Sequence, residues 1–131
     1  MSEEQREIIK QRSKGDCGIC ALAMFLNISY DVLAKEEEFQ EDLKEDFGKG
    51  ASIRDLWKVA KKYGYDIVYT NNQYFKESEP AIVFVPSLKL KGKIHSIYWD
   101  GERIFDPSNE KTYESLPDKF DVLQEFKEDE I

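Results

Sequence analysis

The sequence turns on Gln11–Met24, QRSKGDCGICALAM. A polar segment narrows to Gly15-Asp16 and delivers Cys17 to the head of an apolar run, Ile19 to Leu26. That pattern predicts a tight turn followed by a buried helix over 17–27, too apolar all round for a surface helix. A cysteine in the first helical turn sits among unpaired N–H groups and the positive end of the helix dipole, both of which stabilise a thiolate. Cys17 is therefore the candidate nucleophile, and Cys20, three residues along, should face the core as a small hydrophobe.

The remainder of the chain reads outward from this helix. The N-terminal residues 1–14 form a polar lead-in. A second helix is expected over about 31–44, capped by Ser29 or Asp31, with the solvated acidic run KEEEFQEDLKED. Gly48-Lys-Gly50 makes a loop, and Ser52 caps a third helix over 53–63 that stops at Gly64. Strands are expected at 65–70, at AIVFV (81–85), at KIHSIYW (93–99) and at ERIFD (102–106). FDVLQEF (120–126) suits an edge strand or a short helix. Helices first and an antiparallel sheet after them make an α+β order. The 131 residues form one domain, with 1–10 and 127–131 frayed.

Composition narrows the function. A net charge of −8 argues against nucleic acid or an anionic membrane as partner. No apolar run approaches the roughly 18–20 residues that span a bilayer. The acidic start MSEEQREIIK does not read as a signal peptide, and two cysteines without an export signal suggest free thiols and a cytoplasmic location.

His95 is the only histidine. If Asp100-Gly101 is a two-residue hairpin turn, Trp99 pairs with Glu102, and counting back brings His95 opposite Asp106 on one face, with Cβ atoms about 4.5–5.5 Å apart. A carboxylate there fixes the imidazole tautomer and leaves its other nitrogen for a thiol. The thiolate is the attacking species, and an imidazolium neighbour favours it. The tetrahedral oxyanion needs donors: the Cys17 N–H is one candidate, and the side-chain amide of Gln11, six residues upstream, is the other. Cys17-Gly-Ile-Cys20 also reads as CxxC, a thiol–disulfide motif or half a zinc site. No further cysteine and one histidine supply zinc poorly, and no strand precedes the motif as a redox fold would want.

Gln11-x5-Cys17 with DCG and CALAM, then GASIRDLWKVAKKYGYDI, PAIVFV and KIHSIYWDGERIFDPS, resembles the papain-like cysteine peptidases of the C39 type, which include the bacteriocin-processing peptidases. The likeness runs from about Gln11 to Ser108. It implies a papain-like fold, with N-terminal helices carrying the cysteine packed on a C-terminal antiparallel sheet carrying the histidine and aspartate. It makes Gln11 the oxyanion glutamine, Cys17 the nucleophile, His95 the base and Asp106 the orienting acid, with no metal or cofactor. The expected function is a cysteine hydrolase that cleaves a peptide or isopeptide amide through a thioester, its partner a peptide or protein substrate. Alternatives are a deamidase or acyltransferase using the same site, a catalytically weak binding or inhibitory module, and a thiol–disulfide protein. The family's transport proteins carry membrane and ATPase domains that this sequence lacks, so its substrate need not be a double-glycine leader peptide. Ser96 stands after the histidine where an aromatic residue is commoner.

Overall fold

The first helix, α1 (Cys17–Leu26), is buried at every residue except Cys17. It ends at Asn27, whose left-handed φ of 58° is one that asparagine tolerates and whose N–H closes on the Ala23 carbonyl. The computed structural model describes residues 8–12, 16–44, 52–88, 92–108 and 112–125, with the side chains of 41–44 excepted. The Gly48–Gly50 loop and most of the two segments expected to fray lie outside these residues.

The long helix expected at 31–44 is instead two, α2 (Tyr30–Leu33) and α3 (Glu37–Lys44). The reason is geometric. Leu33 and Phe39 are both fully buried, yet six residues on one straight helix place side chains about 120° apart. The break at 34–36, tightened by Lys35 N–H on the Val32 carbonyl and Glu36 N–H on the Leu33 carbonyl, turns both into the same core. Ser29 caps α2 through the Val32 N–H, as Ser52 caps α4 (Ile53–Lys62) through the Asp55 N–H.

Five strands follow: β1 (Ile67–Asn71), β2 (Ala81–Pro86), β3 (Ile94–Trp99), β4 (Ile104–Phe105) and β5 (Asp121–Glu125). They form one antiparallel sheet in the order β1-β5-β2-β3-β4. β5 is thus an internal strand between β1 and β2, neither the edge strand nor the helix left open by its sequence. The central strand β2 is apolar at consecutive positions because both faces of the sheet are covered. Ile82 and Phe84 join Tyr98, Leu123 and the helices in the larger cluster. Ala81, Val83 and Val85 pack with Ile97 and Val122 on the other face, under Phe75, Trp99, Tyr113, Leu116 and Phe120. α1 packs chiefly on β3.

The β3–β4 hairpin corrects the expected register. Tyr98 pairs with Phe105 and Trp99 with Ile104, a shift of two residues from the two-residue-turn count. Asp100 causes it: its Oδ1 accepts the N–H of Glu102 (2.8 Å) and of Arg103 (2.6 Å), and its own N–H donates to the Arg103 carbonyl, so the turn holds four residues. A slip of two, unlike a slip of one, leaves each side chain on its expected face.

Leu22 lies fully buried in α1, within the cluster between helices and sheet. Leu22→Ala is expected to lower unfolding free energy by about 3 kcal/mol, read as a reduced midpoint in urea with an unchanged slope.

Candidate active site

β4 is only two residues long, so it covers β3 at Tyr98 and Trp99 and ends before Ser96. Alternate residues of an antiparallel strand turn their N–H groups to alternate neighbours. The Ser96 N–H therefore meets no strand on the β4 side; it donates to Cys17 Sγ at 3.5 Å. The thiol occupies the place where a longer fourth strand would continue. Cys17 is the first residue of α1, whose first intrahelical bond is Cys20 N–H to the Asp16 carbonyl. The N–H groups of residues 17–19 have no helical acceptor ahead of them.

His95, next to Ser96 on β3, has 11% of its side chain exposed. Its Nε2 lies 2.5 Å from Asp106 Oδ1. Cys17, whose sulfur is held by the N–H of the adjacent Ser96, favours the protonated form of the same ring, and with Nε2 engaged by the carboxylate, Nδ1 is left for the thiol. The hairpin register places Asp106 diagonal to His95 rather than opposite it, on the same face, and it lies beyond the end of β4. Asp106 is held on both oxygens: Oδ1 also accepts the Ser108 N–H and Oδ2 accepts the Tyr113 N–H, each at 2.8 Å.

Burial works against ionising Asp106, but the hydrogen bonds from His95, Ser108 and Tyr113 outweigh it and hold the carboxyl below its usual range. Burial likewise disfavours the charged form of His95. The hydrogen bond to Asp106 and the neighbouring Cys17 overcome that and raise its pKa to about 9. The site thus holds a fixed anion behind a ring with a strong hold on its proton.

Of the four residues singled out in the sequence, Cys17, His95 and Asp106 converge. Gln11 is brought to the same end of the molecule through its main chain, its N–H donating to the carbonyl of Pro107, the residue after Asp106, at 2.9 Å. Cys20 is fully buried in the core, and burial pushes its thiol pKa upward. A CxxC redox reading is left without an accessible second sulfur. Neither the Ser96 N–H nor the amides that brace Asp106 were legible in the sequence, because a main-chain donor carries no residue signature.

A helix presenting a cysteine from its first turn, packed on an antiparallel sheet that carries a histidine–aspartate pair, is the papain-like α+β arrangement. The chain belongs to the peptidase C39 family, whose model matches residues 5–121 of its 131. Its function is therefore of the cysteine-peptidase type, with peptide or protein as the substrate class. No curated protein matches the chain. Among the described residues, no helix is long and apolar enough to cross a membrane.

The pKa directions carry a stability signature. His95, raised from 6.5 to about 9, contributes stability that is complete below pH 6.5 and is lost as pH climbs through about 9. Asp106, lowered from 3.8, contributes stability that is complete above pH 3.8 and lost in more acid solution. Urea unfolding at a series of pH values should show both contributions in full only between about pH 4 and 6.5. His95→Gln should flatten the decline between pH 6.5 and 9.

Proposed function

We propose that the chain hydrolyses an amide bond in a peptide or protein through a thioester on Cys17. The observation that carries this reading is the convergence of the Asp106-bound imidazole of His95 with the Cys17 sulfur, which sits on the N–H of the adjacent Ser96. His95 takes the thiol proton at Nδ1, and the sulfur attacks the carbonyl carbon. The carbonyl oxygen becomes an oxyanion held by the Cys17 N–H and the side-chain amide of Gln11. As the intermediate collapses, His95 passes its proton to the departing amine and the acyl group stays on sulfur. Water then attacks the thioester, giving up a proton to His95, and the carboxylic acid leaves with Cys17 restored as a thiol. Asp106 remains ionised throughout and keeps the ring turned to the sulfur. No metal or organic cofactor enters these steps. Deamidation and acyl transfer would use the same thioester and differ only in the substrate amide or the acceptor.

A mixed peptide library incubated with the protein and read by mass spectrometry tests this. The wild type should generate new termini, Cys17→Ala none, and His95→Ala should slow the reaction by roughly 10²–10⁴-fold. Cys20→Ser should keep the activity. Cleavage that persists in Cys17→Ala at the wild-type rate would remove the thioester from the account.

A further inference from the structure

Residues 10–12 are held at three successive points. Lys10 Nζ donates to the carbonyls of Asp106 (3.4 Å) and Ser108 (3.1 Å). The Gln11 N–H donates to the Pro107 carbonyl at 2.9 Å, and the Arg12 N–H donates to Asp16 Oδ2 at 2.9 Å. The peptide groups on either side of the Gln11 Cα are therefore both anchored. One is tied to the loop that follows Asp106, the other to the residue that precedes Cys17. Fixing both limits the direction in which the Gln11 side chain can leave the main chain.

Asp16 is unusual for its position. It is the N-cap of α1, where an aspartate ordinarily accepts an N–H from the first turn of its own helix. Here the side chain makes no such cap bond. It is fully buried, and its Oδ2 accepts the Arg12 N–H and the Tyr30 hydroxyl (2.8 Å) instead. Tyr30 opens α2, and its ring lies 4.3 Å beneath the Arg12 guanidinium, which pairs with Asp31. One carboxylate oxygen thus joins the Gln11–Arg12 segment, the head of α1 and the head of α2. With that oxygen committed to Arg12 and Tyr30, the service Asp16 gives is one of geometry.

We propose that Asp16 is a positioning residue for the oxyanion site, locking Gln11 against the helix that delivers Cys17 so that the glutamine amide and the Cys17 N–H converge on one oxygen. This rests on the roles given to Cys17 and Gln11 above. Asp16 touches no substrate and acts through Gln11.

Two reactions of Cys17 separate this role from simple folding. Alkylation by iodoacetamide displaces iodide from a saturated carbon and forms no oxyanion. Acylation by p-nitrophenyl acetate passes through a tetrahedral oxyanion, forms the acetyl thioester and expels p-nitrophenolate. The ratio of the acylation rate to the alkylation rate isolates the oxyanion site. Asp16→Ser retains a good N-cap residue but is one bond too short to reach the Arg12 N–H. It should lower the ratio at least about tenfold, as Gln11→Ala should. Asp16→Asn, which removes the charge and keeps an acceptor oxygen, should stay near wild type. A wild-type ratio in Asp16→Ser beside a lowered ratio in Gln11→Ala would overturn the positioning role alone. Parallel losses of both reactions in Asp16→Ser, leaving the ratio unchanged, would do the same. An unchanged ratio in Gln11→Ala, or no acylation of wild-type Cys17, would overturn the underlying reading and this proposal with it.

Discussion

The packing of α1 on β3 is the constraint from which the site follows. A helix buried at every residue after its first has no freedom to slide, because any shift would expose apolar side chains or overpack the core. Its first residue is consequently fixed in space, and that residue is Cys17. β3 is equally fixed, paired with β2 along all six of its residues. The meeting of sulfur and imidazole is therefore set by two rigid elements and a main-chain donor at Ser96, rather than by loops.

The acid is placed differently. Asp106 lies past the last paired residue of β4, where no ladder holds it. Its precision comes from its own acceptors: three donors on two oxygens replace the missing strand. Lys10 and Gln11 then tie this loop to the segment leading into α1. Cys17, His95 and Asp106 are joined into one unit whose buried carboxylate is hydrogen-bonded, as it must be to stay ionised.

Much of this was legible in the residues, for reasons that differ from element to element. Cys17 at the head of an apolar run announces a buried helix start, and Ser52 and Gly64 bracket α4 by local capping chemistry alone. The pairing of His95 with Asp106 was reached through a turn that is two residues longer than supposed. It survived because side chains alternate with a period of two, so an even slip preserves the face. Non-local facts were not readable. The break between α2 and α3 answers to a core that Leu33 and Phe39 must both enter. The internal place of β5 depends on which strands it meets. Asp16 passes for an ordinary N-cap until Tyr30, fourteen residues on, is seen to share its oxygen with Arg12.

If the site works as proposed, Cys17 and His95 react as a unit. The most direct test is the rate of iodoacetamide alkylation at Cys17 near pH 6.5, followed by mass spectrometry in wild type and in His95→Ala. The wild-type rate should exceed that of His95→Ala by tenfold or more, with Cys20 unlabelled in both, because a neighbouring imidazolium favours the reactive anion. Equal rates in the two proteins would mean that the histidine does nothing for the thiol, and would contradict that reading.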